Sequence, residues 1–490
     1  MPKLWTFRFR QTTIVLIACG ALFGGLLLGK AIPFRTMGWV AILAPLAALT
    51  WRRKNSVTVL IVVLLCLACG WWRGSLYATQ VAVYQQFAKQ KISIVGRATT
   101  DGVYGEHEQL TFTMDHLRIV SPMQRQLVGQ ISVGGFGAPA VYRGDDVEAS
   151  GSLYPTRGSS QASVSFAELT VLGSHPSFID GLRQRFTAGV QSALPEPEAS
   201  FGLGLLVGQR NTLPQAVSQT LLMVGLTHII AVSGYNLTIL LKMARKLFGK
   251  RSKFQATVAF LVLIGTFVLL TGSSPSIVRA AMVSLLSIAA WYYGRPLRPL
   301  VLLLVSGVIT ALANPLYVWG NVSWYLSFLA FFGVLVLAPL VTKRLYGSRE
   351  PKLIASMIIE SLCAEAMTLP YVLHIFGQMS SVSILANVLI AALIPLAMFL
   401  SLVAGLAGML VSPLAGWFAW PAKLLLTYML DVAGLLSRIP HAFIEQIGFS
   451  TWLMVASYGI VLGLCVILRH QNKREYAIIT DRIALETEGA

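Results

Sequence analysis

Apolar runs of about 20 residues recur along the chain, and each has the length a helix needs to cross the roughly 30 Å hydrocarbon core of a bilayer. Three precede residue 84, near 12–32, 37–51 and 56–72. Nine follow, at 227–246, 254–272, 276–293, 299–313, 321–341, 353–376, 382–411, 417–437 and 451–468. Between the two groups the pattern changes to a period of two. Leu110, Phe112 and Met114 alternate with polar residues, as do Val147, Ala149, Gly151 and Leu153, which marks strands with one buried face. The expected fold class is a mainly α polytopic membrane protein with about 12 transmembrane helices, plus a small extracytoplasmic all-β domain.

Five strands are expected in that domain: Ile92–Thr100, Gln109–Val120, Val128–Gly134, Asp146–Leu153 and Ser163–Leu172. Their number and spacing suit an OB-like barrel, a fold that often holds single-stranded nucleic acid or oligosaccharide. From Pro176 to Leu194, residues Phe178, Ile179, Leu182, Phe186 and Val190 fall on one helical face. That pattern fits an interfacial helix bracing the outer domain, or a plain connector. The organisation is thus 1–83 N-terminal transmembrane helices, 84–175 outer β domain, 176–226 amphipathic or interfacial helices, 227–468 membrane domain and 469–490 cytoplasmic tail.

Charge orients this layout. Lys3, Arg8 and Arg10 precede the first run, and Arg52, Arg53 and Lys54 lie between the second and third. Later basic clusters at 242–253, 295–298, 343–352 and 469–474 all fall on the same side, while the turns at 272–276, 314–321 and 377–381 carry no charge. The excess of basic residues on one side places both termini in the cytoplasm and the β domain outside an inner membrane. The composition agrees, with 55% hydrophobic and 12% charged residues against about 25% charged in soluble domains. A net charge of +18 fits both the positive-inside rule and contact with a polyanion. The five cysteines lie in apolar runs and the β domain has none, so no disulfide framework is expected. Leu16–Cys19 superficially resembles a lipoprotein cleavage site, but the apolar run continues to Leu28, as an uncleaved first span does.

Polar groups inside the spans are the candidates for function, since each is costly in lipid. They are His228, Arg279, Glu360, Glu365, His374 and Asp431. Glu365 lies deepest, and Arg279 is a possible partner for it. The densest polar stretch, Thr227 to Thr238, includes His228, Ser233, Gly234 and Asn236; it suits a helix break, a close crossing or a pore lining. No catalytic set is formed: His228 and Ser233 are five apart, about 140° around a helix. No metal-ligand spacing and no phosphate-binding glycine loop is present, so neither enzyme activity nor a cofactor is expected.

The stretch Gly225-Leu-Thr-His228-Ile-Ile-Ala231-Val-Ser233-Gly234-Tyr-Asn236 resembles the signature of the ComEC-type competence channel family, G-L-x-H-L-L-A-x-S-G-x-H/N. Leu205-Leu-Val-Gly208-Gln-Arg210 precedes it. Thr271–Met282, Asn314-Pro315 with Trp324–Phe328, Pro370 with Phe376–Gln378, and Leu385-Ala386-Asn387 leading to Pro395 follow in the family's order. The resemblance covers roughly 85–468. It implies a channel that passes one DNA strand inward during natural transformation, with His228, Ser233, Gly234, Asn236, Arg279 and Asn387 lining or shaping the path. Glu365 and Pro370 join them as the deep carboxylate and a helix-breaking position. Lys242, Arg245, Lys246, Lys250, Arg251 and Lys253 follow the signature and either receive emerging phosphates or hold anionic lipid.

The resemblance further implies an outer DNA receptor and a cytosolic helicase-like or single-strand-binding partner. Many members carry a metallo-β-lactamase-like domain with an H-x-H-x-D-H motif. The seven histidines here have no such spacing, so the expectation is that a separate protein supplies any nuclease or that the DNA is delivered already single-stranded. The alternative reading is a secondary transporter or an exporter of a small molecule or lipid-linked glycan, with Glu365 and Asp431 available for ion coupling.

Overall fold

A computed structural model describes the chain apart from residues 1–9, 33–55, 105–108, 137–139, 156–159, 175–176, 210–211, 231–236, 238–240, 242–243, 245–251, 273–274, 296–297, 348, 350 and 489–490. The chain is a polytopic helical membrane protein with an inserted β-sheet region. Among the described residues seven helices are long and apolar enough to cross a membrane: Gln11–Ala31, Ser56–Gln85, Val322–Tyr346, Ile354–Phe376, Ser383–Leu410, Ala415–Ser437 and Thr451–Gln471. Each coincides with an expected span. Three expected spans are shorter apolar helices, Lys253–Leu269, Ser276–Tyr292 and Pro299–Ala313. The expected span at 37–51 and most of that at 227–246 lie outside the described residues.

The first two helices, α1 (Gln11–Ala31) and α2 (Ser56–Gln85), run parallel and cross with their backbones in contact. Gly25 and Gly29 face Gly70 and Gly74, so each helix contributes two glycines four apart. A Cβ added at Gly25 would sit 2.1 Å from the Leu67 carbonyl oxygen, and one at Gly29 would sit 2.7 Å from the Gly74 Cα. Lipid supplies no hydrophobic force between spans, so association rests on this close van der Waals approach.

Beyond α2, five long strands close on themselves. β1 (Lys91–Ala98) is followed by a two-residue β2 (Val103–Tyr104), then β3 (Leu110–Ser121). A two-residue β4 (Arg125–Gln126) precedes β5 (Ile131–Phe136), β6 (Asp145–Pro155) and β7 (Ala162–Ser174). The pairings β1–β6, β6–β7, β7–β5, β5–β3 and β3–β1 form a cycle, antiparallel except for the parallel β5–β7 pair. Val147, Ala149 and Leu153 of β6 are fully buried with Ile92, Ile94, Met114, Ile131 and Val164; this is the alternation seen in the sequence. The third strand starts later than its pattern suggests. Gly129 adopts φ +120°, incompatible with a strand, and the backbone N–H of Gln130 donates to Gln161 Oε1 at 2.6 Å. His116 in β3 and Phe166 in β7 sit at left-handed φ of +51° and +55°, each costing about 1–3 kcal/mol.

The sheet is tied to the helices at both ends. On one side Tyr84 of α2 donates to the Val128 carbonyl at 3.1 Å, and Gln161 bonds the Tyr77 hydroxyl. On the other, α3 (Phe178–Ala193) starts at a capping box of Ser177 and Asp180. Arg183 Nη2 meets Asp101 Oδ2 at 2.9 Å, and Arg143 Nε meets Asp180 Oδ1 at 3.3 Å. The Arg143 backbone donates to Asp101, while its Nη1 donates to the Leu269 carbonyl at 3.3 Å. Phe178 and Leu182 of α3 are exposed, and its tight contact runs instead through Gly189.

The next helices are α4 (Glu198–Val207), α5 (Gln215–Met223) and α6 (Thr227–Ile230). The reading of 176–226 as amphipathic fails for α4, where nine residues are buried, as a helix apolar on every side must be. Then come α7 (Lys253–Thr271), α8 (Pro275–Tyr292), α9 (Pro299–Ala313), α10 (Leu316–Gly320) and α11 (Val322–Phe332). A π turn at Gly333–Leu337 joins α11 to α12 (Ala338–Tyr346). The last helices are α13 (Leu353–Phe376), α14 (Ser383–Ile390), α15 (Ile394–Leu410), α16 (Ala415–Ser437) and α17 (Thr451–Glu488). Short strands β8 (Met379–Ser380) and β9 (Phe443–Ile444) pair between them.

Candidate functional site

The polar residues of the membrane domain meet along a seam running from α8 through α11 and α13 to α14. At one end Arg279 is 5% exposed, its guanidinium over the rings of Phe328 and Phe331 at 5.6 and 5.4 Å from their centroids. Among the described residues its Nε and Nη1 have no hydrogen-bond partner. Ser276, one turn earlier, approaches Ser327 at 3.4 Å and Ser323 at 3.5 Å between hydroxyl oxygens. Two cation–π contacts contribute about 2 kcal/mol each when desolvated, less than the several kcal/mol lost by burying an ion.

Further along, Tyr325 packs on Tyr371 with centroids 5.6 Å apart, linking α11 to α13. On α13, Glu365 accepts a hydrogen bond from Ser383 Oγ at 2.6 Å, while its Oε2 is buried with no partner among the described residues. Ser383 opens α14 and lies one turn before Asn387, which is half-buried on that helix. Against Ser383 and Ser380 packs Gly225, whose φ of +77° and lack of a side chain both matter: a Cβ there would lie 2.9 Å from Ser383 Cβ. His228 follows on α6, where its Nδ1 lies 3.2 Å from the Gly225 carbonyl and the ring is exposed. Sequence blocks far apart in the chain are thereby joined.

Several expectations change. Arg279 and Glu365 form no ion pair; the guanidinium lies on aromatic rings and the carboxylate bonds a serine. Pro370 does not break its helix, which runs unbroken through Leu353–Phe376, because one missing N–H is tolerated where neighbouring helices support the backbone. The interruptions come at the π turn of Gly333–Leu337 and the 3₁₀ turn of Ala391–Leu393 before Pro395. Gly333 is where α11 touches α13, a Cβ there falling 2.4 Å from the Cys363 carbonyl oxygen. Asp431 is exposed on α16, and Lys253 is exposed at the start of α7. Ser233, Gly234, Asn236, Lys242, Arg245, Lys246, Lys250 and Arg251 lie outside the described residues.

Ser383, Phe331 and Tyr371 were not singled out from the sequence. Ser383 was legible as the residue four before Asn387 on a helix. Nothing marks the two aromatic residues among many in apolar runs. Asn314 and Asn321, by contrast, cap helices: Asn314 Oδ1 accepts from the Leu316 backbone N–H at 3.1 Å and Asn321 Oδ1 from that of Trp324 at 2.7 Å.

A helical bundle with buried polar contacts between α8, α11, α13 and α14, and a closed sheet tied to it, defines a polytopic helical membrane protein. The family described as Competence protein matches residues 205–471, over half of the chain and the whole of the seam. This chain belongs to that family, whose ComEC type the signature at Gly225–Asn236 resembles. It is 27% identical over 241 residues to ComE operon protein 3 of Bacillus subtilis (strain 168). The alignment takes in 48% of this chain and 30% of that relative's length. No solved structure matches the chain.

Proposed function

We propose that the chain is an inner-membrane channel that takes up DNA in natural transformation, passing a single strand into the cytoplasm. The observation that carries this reading is Arg279, a buried guanidinium with two N–H-bearing nitrogens unpartnered among the described residues, in the α8–α11 seam of a competence-family membrane domain. A phosphodiester passing the seam satisfies that cation briefly and releases it, the weak repeated contact that conduction requires. His228, Ser233, Gly234, Asn236, Glu365, Pro370 and Asn387 line or shape the path, and the basic run from Lys242 to Lys253 meets the emerging strand or anionic lipid.

The alternation of basic loops supports about 12 spans with both termini in the cytoplasm, as does the parallel course of α1 and α2. The β domain then lies outside. Its cyclic order, with one parallel pair between the third and fifth long strands, supports reading it as OB-like. The implied partners are an outer DNA receptor and a cytosolic helicase-like or single-strand-binding protein that supplies the driving force. Glu365, with one oxygen unpartnered among the described residues, favours the second reading of an ion-coupled transporter or exporter.

One experiment separates these. A deletion strain is complemented with wild type, Arg279→Ala or Arg279→Lys and offered fluorescent DNA. The channel predicts DNA held at the surface but never cytosolic in the deletion and in Arg279→Ala, with partial recovery in Arg279→Lys. Normal import in the deletion strain refutes the channel and leaves the transporter.

A further inference from the structure

Two phenylalanine rings on the sheet stand where packing does not call for them. Phe166 occupies a bulge in β7 at φ +55°, where Ser165 and Phe166 fail to alternate, and it is 72% exposed. Across the parallel β5–β7 pair, Phe136 is 42% exposed, with ring centroids 6.0 Å apart and planes inclined by 25°. The ring pairs described among the helices are instead tilted or edge-on. A left-handed backbone is unfavourable for a bulky residue, and leaving its ring in water adds a second cost. Burial offsets neither here, and strain of this kind collects at ligand sites.

The surroundings indicate what the rings face. Ser132, Ser163, Ser165 and Thr170 lie nearby on these strands, and Glu168 pairs in register with Phe136. An apolar patch made for a bilayer is bordered by aliphatic or basic side chains. A carboxylate beside it is unfavourable against anionic headgroups. An aromatic base presents a flat face to stack and exocyclic amines that donate to a carboxylate. Only an unpaired base has that face free.

We propose that Phe136 and Phe166 form a stacking platform for the unpaired bases of a nucleic-acid strand, with Glu168 accepting from an exocyclic amine. This rests on the reading of the chain as a DNA channel and adds a base-contacting station outside the membrane domain. Stacking is open to every base, thymine included, whereas the Glu168 contact is open only to adenine, cytosine and guanine, which carry an exocyclic amine; oligothymidylate therefore tests the stacking alone.

The test uses the full chain in detergent micelles and two fluorescent probes of equal length and charge, an oligothymidylate and an abasic phosphodiester. Wild type binds the oligothymidylate more tightly. Phe136→Ala with Phe166→Ala weakens that binding about ten- to hundredfold, as expected for one stacked base, and leaves the abasic probe unchanged; Phe166→Trp retains it. Equal affinity of wild type for both probes, or an unchanged double variant, overturns the platform. So does quenching of the indole introduced by Phe166→Trp when it comes from brominated lipid instead of from oligothymidylate, which assigns the rings to the bilayer. Failure of the channel reading is seen separately, as normal DNA import by the deletion strain.

Discussion

Replacing Gly408 by alanine tests the packing that seats α3, and with it the β domain, on the membrane bundle. A Cβ at Gly408 would lie 1.9 Å from the Gly189 carbonyl oxygen, 2.6 Å from its carbon and 2.9 Å from its Cα. Ordinary contact begins at about 3.4 Å, so the backbones must part by about 1.5 Å; no side chain can swing aside, because the obstacle is main chain. Separation by that distance forfeits at least half of each van der Waals well across the crossing, where Phe186 and Val190 meet Gly405. On the order of 20 atom pairs at about 0.1–0.2 kcal/mol each are at stake, so the loss is about 1–3 kcal/mol, the usual cost of overpacking. Gly434→Ala on α16 is the matched control. Its Cβ meets nothing within 4 Å, and alanine is favoured over glycine in a helix by about 0.5–1 kcal/mol. Thermal unfolding of the purified protein in detergent reads both: Gly408→Ala falls by several degrees and Gly434→Ala does not fall. A Gly408→Ala protein as heat-stable as wild type refutes the backbone-to-backbone crossing.

Three further outcomes are expected. Ser383→Ala leaves both Glu365 oxygens without a donor and destabilises the protein by about 1.5–3 kcal/mol, the worth of a hydrogen bond to a charged group; a double-mutant cycle with Glu365→Gln recovers most of it, and strictly additive losses exclude the contact. Arg183→Ala removes the charged partner of a largely buried carboxylate, Asp101, which keeps only the Arg143 backbone N–H, at about 1.5–3 kcal/mol, and hydrogen exchange at Gly102 and along α3 rises; unchanged protection there argues against the pin. Gly225→Ala strains a left-handed turn and presses on Ser383, so DNA import falls while the separately measured binding to oligothymidylate stays at the wild-type level.

Much of the architecture was legible because lipid and water impose simple periods. A run of 20 apolar residues has few destinations, and alternation of two marks a half-buried strand; β6 was foreseen within two residues at each end. The limits lie where geometry depends on a neighbour. Pro370 looks like a helix breaker in isolation, yet α13 continues through it. The glycines of α1, α2 and α15 look ordinary in sequence and become decisive because another backbone lies against each. Phe166 sits in an alternating strand, and the bulge that turns it outward is a feature of the sheet.

By itself, then, the sequence determined that the chain lives in a membrane, that one polar domain interrupts its helices, and through the Gly225–Asn236 signature which family it belongs to. Those properties follow from hydropathy, charge and short-range motif, which need no partner to be expressed. Only the tertiary structure decided that Glu365 bonds Ser383 and that Arg279 lies against two phenylalanine rings, with no acid beside it among the described residues. It also decided that Asp101, Arg143, Asp180 and Arg183 pin the sheet to α3. Each is a contact between residues remote in the chain, selected by how helices cross at glycines, and crossing geometry is a property of pairs of surfaces that no single stretch of sequence contains.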